Sequence, residues 1–148
     1  MTAKIIGTPT EAWKSWHRAM DAMFDGRFKD AEIELEQLFS DSATFKPPTY
    51  FKSRDKQFAI MALKGVSQLF KEFRYTREFI GERDMALEFV CKCGENGPEL
   101  QGVDLITLDA NGKIKEFAVV ARPPKAVQAI LEHQSKFMAE FLKKQSKL

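Results

Sequence analysis

The sequence predicts a single α+β domain, with helices first and an antiparallel sheet second. Apolar residues recur at helical spacing as far as Phe70, whereas beyond Phe73 the period falls to two in four successive runs. The joints between those runs are short enough to force the strands into a meander. Thirteen Phe, two Trp and six Met in 148 residues supply a core without a disulfide or metal staple, and leave apolar side chains over to line a cavity. No repeat, linker or low-complexity stretch divides residues 1–148, so one domain is expected.

The elements follow in order. Thr8, Pro9 and Glu11 read as a capping box with proline at the first helical position, and Trp13, Trp16, Met20, Met23 and Phe24 continue that helix to Gly26. A second helix opens near Asp30 and carries Ile33, Leu35, Leu38 and Phe39; Ser40 to Phe45 is a short strand stopped by Pro47 and Pro48. Ser53 caps a third helix with Phe58, Met61, Ala62, Val66, Leu69 and Phe70 on its apolar face. Strands are expected over residues 73–80, 85–93, 100–109 and 113–122. Asn96-Gly97 suits a two-residue hairpin, and Asp109-Ala110-Asn111-Gly112 suits a type I turn closed by a glycine bulge. Pro123 and Pro124 end the last strand, and Val127, Ile130, Leu131, Phe137, Met138, Phe141 and Leu142 mark a long amphipathic terminal helix.

Composition excludes several classes. Lys and Arg (23) nearly balance Asp and Glu (21) and are scattered, which argues against nucleic acid; Lys143, Lys144 and Lys147 suit a solvated helix end. Cys91 and Cys93 lie two apart, share a strand face and cannot bridge each other, so they read as buried hydrophobes in a reducing compartment. His17 and His133 are too far from them in sequence to complete a metal site, and no metal or cofactor is expected. Met1 to Ile6 carries no leader pattern and no run reaches the length of a membrane span, so a cytoplasmic protein with no membrane partner is expected.

Registers bring the chemistry together. Pairing Asp109 with Lys113 sets Asp104 opposite Ala118 and gives it Ile106, Val120 and Arg122 as neighbours on one face, while the two-residue turn pairs it with Phe89 and adds Leu87 and Cys91. A carboxylate on such an apolar wall loses water and its pKa rises, as a general base needs; equally, Asp104 is satisfied by Arg122, a tyrosine or backbone donors. Arg122 is then that partner or a clamp for an anionic ligand. Glu88 falls on the opposite face, near Arg77 or Lys115, although a slip of one residue would exchange it with Asp104. His17, one turn from Trp13, is a pocket-edge proton shuttle or a half-exposed helix histidine. Tyr50 and Tyr75 offer hydroxyls to a ligand or pack as core rings, and His133 is assigned to the surface. The catalytic candidates are therefore Asp104, His17 and Tyr75. The ligand-lining candidates are Trp13, Trp16, Met20, Phe45 and Tyr50 with Phe70, Phe89, Ile106, Val120 and Arg122.

Phe73-Arg74-Tyr75, Ala86-Leu87-Glu88-Phe89, the run Gly102 to Asp109, Asn111-Gly112-Lys113-Ile114 and Val120-Ala121-Arg122-Pro123 resemble the SnoaL-like polyketide cyclases of the nuclear transport factor 2-like superfamily, over nearly the whole chain. The resemblance implies a cone, a curved antiparallel sheet wrapped around N-terminal helices with a long C-terminal helix, a hydrophobic cavity at one end, and dimerisation through the sheet. It also implies cofactor-free acid-base chemistry by a strand aspartate, the position that Asp104 matches in Gly102-Val103-Asp104, with a histidine or tyrosine. The isomerase members' first-helix tyrosine is replaced here by Trp16 and His17.

Two functions compete at this point: a cofactor-independent isomerase, cyclase or dehydratase acting on a small apolar, carbonyl-containing molecule, and a non-catalytic small-molecule-binding or dimerisation module. A homodimer is expected with either, through the terminal helix and a second sheet face bearing Leu105, Phe117 and Val119.

Overall fold

The computed structural model describes residues 3–146; Lys147 of the basic tail lies outside them. The elements are β1 (Lys4–Gly7), α1 (Glu11–Phe24), α2 (Phe28–Leu38), β2 (Phe39–Lys46), α3 (Lys56–Leu69), β3 (Phe70–Ile80), β4 (Asp84–Cys93), β5 (Glu99–Leu108), β6 (Ile114–Arg122) and α4 (Pro124–Ser146). The fold is α+β, as the sequence predicts. Strands β3 to β6 form the antiparallel meander, and β1 and β2 extend it at the two edges as parallel partners of β3 and β6, giving a mixed six-stranded sheet in the order β1-β3-β4-β5-β6-β2. Among the described residues no helix is long and apolar enough to cross a membrane.

Helix starts differ from the sequence reading by two residues. Thr10, not Thr8, caps α1 by accepting from the Trp13 backbone N–H at 3.2 Å, and Asp55, not Ser53, caps α3 by accepting from Phe58 N at 2.9 Å. Each cap satisfies a backbone donor that the first helical turn leaves orphaned. In α2 the buried stripe is Ala31, Leu35 and Leu38, and Ile33 is exposed. Pro124 opens α4 where its missing N–H costs no helical bond.

The turns decide which side chains face inward. Asp109 holds the β5–β6 turn as expected: its N–H donates to Lys113 O at 2.7 Å, its O accepts from Gly112 N, and its Oδ1 accepts from Asn111 N and Lys113 N. Gly112 has φ +77°, a conformation that costs a side chain-bearing residue energy. One step on, β6 carries an extra residue: Leu108 pairs with Ile114 but Thr107 with Glu116, so Lys115 is a bulge. That single residue sets Asp104 opposite Val119 rather than Ala118, and everything beyond it on β6 changes face. Val120 and Arg122 point outward, whereas Phe117 and Val119, expected on the outer face, point inward. At the β4–β5 joint a four-residue connection, Gly94 to Gly97, replaces the two-residue turn, and Leu87 rather than Phe89 faces Asp104. A slip of two residues keeps the period, so Leu87, Phe89 and Cys91 remain on Asp104's face.

Helices α1, α2 and α3 cover the inner face of the sheet and bury a core built on Trp16, Met23, Leu35, Phe39, Leu87, Ile106 and Phe117. A second cluster under α4 gathers Phe70, Phe89, Cys91, Cys93, Leu100 and Ile130, and both cysteines there are free. Tyr75 and Val119 border both clusters.

Candidate functional site

Between the two clusters lies a cavity of about 240 Å³. Its deep wall is aromatic, with Phe70, Phe73 and Phe89 from β3 and β4 on one side and Phe45, Phe58 and Phe117 on the other. Its mouth is framed by residues 47–50 and by Gln134, Ser135 and Met138 of α4. Helix α4 is fixed there by His133 and Gln134, which donate to the α3 carbonyls of Gly65 (2.8 Å) and Ala62 (2.9 Å). His133, assigned to the surface from sequence, is thus a half-buried tie between helices.

Asp104 and Tyr75 are the ionisable groups at the bottom of this cavity. The Trp16 indole N–H donates to Tyr75 Oη at 3.0 Å, and Tyr75 Oη–H donates to Asp104 Oδ2 at 3.2 Å. Trp16 is fully buried and Asp104 is 6% exposed. Burial raises the Asp104 carboxyl from 3.8 to about 7; the Tyr75 hydrogen bond pulls the other way, and the charge of Glu78 adds to the rise. Burial first, and then the Asp104 charge, push the Tyr75 phenol well above its ordinary 10, so it stays a donor. Near neutral pH, then, a carboxyl that exchanges its proton stands beside a phenol that keeps its own.

Behind Tyr75, on the side away from the cavity, His17 Nε2 donates to Glu78 Oε1, and its ring lies 4.9 Å from that of Tyr75 and 4.4 Å from that of Trp13. Glu78 is 2% exposed. It escaped the sequence reading because a bulge at Thr76 turns it inward: Tyr75 pairs with Phe89 but Arg77 with Glu88. Strict alternation from Tyr75 would send residue 78 outward, and no glycine marks the bulge.

The candidate residues divide accordingly. Met20, Phe45, Tyr50, Phe70 and Phe89 line the cavity, with Asp104 and Tyr75. Trp13, Trp16 and Ile106 are core or core-flanking and sit behind it. His17 does not reach it. Val120 and Arg122 do not belong to the site, because the Lys115 bulge reverses them; Arg122 is neither a clamp nor the partner of Asp104, and donates to Gln101 Oε1 at 3.4 Å on the outer face. Glu88 is also on that face, bound by Arg77 at 2.6 and 2.8 Å and by Thr76 at 2.7 Å, and the Arg77 bond holds its carboxyl down at about 2. Phe24, Phe73, Phe117, Val119 and the α4 residues also line the cavity, and the sequence pattern alone does not mark them as lining. Among the described residues no three His, Cys, Asp or Glu side chains converge as a metal site.

Fold and site together define an α+β cone with one buried acid in an aromatic cavity. No protein-family model matches the chain and no curated protein matches it, but solved structures do. A steroid Δ-isomerase from Pseudomonas aeruginosa superposes with a TM-score of 0.75 at 27% identity, over 93% of this chain and 98% of that one. An uncharacterised bacterial protein with a cystatin-like fold from Silicibacter pomeroyi is 37% identical over 90% of this chain and 96% of its own, with a TM-score of 0.69. An NTF2-like protein of unknown function from Cytophaga hutchinsonii shares the fold at 17% identity, over 80% and 96% of the two chains, with a TM-score of 0.55. The chain belongs to the same family as the Silicibacter pomeroyi protein, and its fold is the cystatin-like, NTF2-like fold that these structures share.

Proposed function

We propose that this protein is a cofactor-independent isomerase that shifts a proton along a compact apolar carbonyl compound, with Asp104 as the base and then as the acid. The observation that carries the reading is Asp104 itself: a carboxyl in a cavity large enough for a ligand, titrating at about 7, with a phenol donor on its Oδ2. Proton-transfer catalysts work best when their pKa lies near the working pH. Ionised Asp104 takes a proton from the carbon that lies between the carbonyl and a carbon–carbon double bond, the electron pair moves to the carbonyl oxygen, and protonated Asp104 returns the proton two carbons further along the resulting dienolate, which moves the double bond into conjugation. As Asp104 gains the proton, Tyr75 loses its anionic acceptor and its O–H becomes available to the enolate oxygen, an electrostatic contribution made where charge develops. Trp16 anchors the far side of Tyr75. The likeness to the Pseudomonas aeruginosa isomerase supports the same reaction class.

Cyclohex-3-enone, whose isomerisation to the conjugated enone is followed by ultraviolet absorbance, tests the reading. The protein should accelerate the shift with a rate that rises as pH passes through about 7. Asp104→Asn should lose at least about a hundredfold, the usual contribution of a positioned base. A folded Asp104→Asn variant that keeps its rate removes Asp104 from the mechanism. A wild type that binds the enone without converting it leaves the second reading, a binding module, which the overwhelmingly apolar wall favours.

A further inference from the structure

The seat of Phe89 is made by a missing side chain. Its partner across β4 and β5 is Gly102, and the ring lies directly over it: a Cβ on Gly102 would stand 2.3 Å from Phe89 Cζ and 2.8 and 2.9 Å from its two Cε atoms. Gly102 is not among the residues with positive φ, so the backbone does not require glycine there; the ring does. The next residue across, Ala121, is small as well and also lines the cavity. Leu87, Asp104 and Val119 form the neighbouring rung, and same-face residues on a strand lie about 7 Å apart, so the ring's seat adjoins the reacting carboxyl.

Phe89 is 3% exposed and stacks on Phe73 with ring centroids 4.9 Å apart and planes at 30°. Phe45 and Phe117 stack likewise at 5.1 Å and 18°. Such pairs offer ring faces and edges to a further flat ring, and offer less to a puckered saturated one. The cavity's 240 Å³ is about one and a half times the roughly 150 Å³ that admits benzene. That encloses two fused rings, and a four-ring ligand would have to project through the mouth.

We propose that Phe89, seated on Gly102, is the specificity-determining residue of this cavity, reserving the rung beside Asp104 for a flat, unsaturated ligand of one or two rings and closing it to longer polycycles. The inference rests on the cavity being the ligand site proposed above. Any side chain at position 102 lifts the ring into the cavity, and a smaller side chain at position 89 deepens the cavity toward Leu100.

Isothermal titration calorimetry of the full chain with 2-acetylnaphthalene, its saturated counterpart 2-acetyldecahydronaphthalene and the four-ring androst-4-ene-3,17-dione tests this. Wild type should bind 2-acetylnaphthalene at least about tenfold tighter than either of the others; Gly102→Ala should weaken it about tenfold or more, and Phe89→Leu should strengthen the four-ring ligand by a similar factor. If Gly102→Ala does not fold, Phe89→Leu decides alone: unchanged relative affinities overturn the proposal and the predicted gain upholds it. Wild type binding none of the three, or binding the four-ring compound as tightly as the naphthyl ketone, also overturns it. Because the readout is binding, an inert protein that shows this order upholds the role of Phe89 while the proton-transfer reading fails, and turnover of cyclohex-3-enone without any size order does the reverse.

Discussion

Replacing Asp104 by Asn removes a titration from the interior while leaving an acceptor for the Tyr75 hydroxyl, so the variant isolates what that buried charge costs the fold. In the unfolded chain the carboxyl ionises near its ordinary 3.8, and in the folded chain near 7. Between those values the native state holds the proton and the unfolded state does not, so native stability falls as pH rises: Asp104 costs nothing below about pH 4, and its full cost is reached only above 7. At 1.36 kcal/mol per pKa unit the complete effect is about 4 kcal/mol, of which about 2 to 3 kcal/mol falls between pH 5 and pH 8. Urea unfolding of wild type and Asp104→Asn at both pH values measures it as a double difference, in which titrations common to the two proteins cancel. The variant should gain on the wild type by about 2 to 3 kcal/mol on going from pH 5 to pH 8. Parallel stability profiles would refute the reasoning, because they would mean that Asp104 titrates alike in the folded and unfolded chains.

Other substitutions probe the parts around it. Tyr75→Phe strips the acceptor from the buried Trp16 indole and the donor from Asp104; it should cost about 1 to 3 kcal/mol in chemical denaturation and move the Asp104 midpoint still higher. Glu88→Gln, on the outer face, should leave cavity binding intact, and should remove the loss of stability that wild type shows as acid titrates this carboxylate from the ordinary 4.5 down to about 2; acid unfolding curves check both the size and the pH window. Gly65→Ala places a methyl 2.2 Å from Gln134 Oε1 and 2.7 Å from the Phe137 ring, so it should push α4 off α3 and cost about 1 to 3 kcal/mol, read as a lowered melting temperature.

Local chemistry carried most of the fold. Turn residues such as Asp109 and Gly112, and the switch of period after Phe73, are consequences of neighbours in sequence, and the meander followed from them. What was not legible depends on non-local pairing. Strand β1 is four residues, and it exists only because Lys4 to Gly7 find β3 some seventy residues away. The bulges at Thr76 and Lys115 were invisible for a related reason: neither is a residue that a bulge demands, and each is fixed by how two strands fit across the sheet. Their effects on the site were opposite. The Lys115 bulge took Val120 and Arg122 out of it and brought Phe117 and Val119 into the cavity wall, while the Thr76 bulge turned Glu78 inward behind Tyr75. Asp104 was recognisable because the error at the β4–β5 turn was an even number of residues, which leaves every face where it was.

The proposed chemistry depends on one carboxyl that exchanges its proton near neutral pH inside the cavity. Carbon-13 NMR of the protein labelled at the aspartate side-chain carboxyls, with the Asp104 signal assigned by its loss in Asp104→Asn, follows that proton directly. A midpoint near 7 is the expected result. A midpoint at or below the ordinary 3.8 would contradict the account, since it would describe a carboxylate that is stably ionised at every pH where catalysis is proposed.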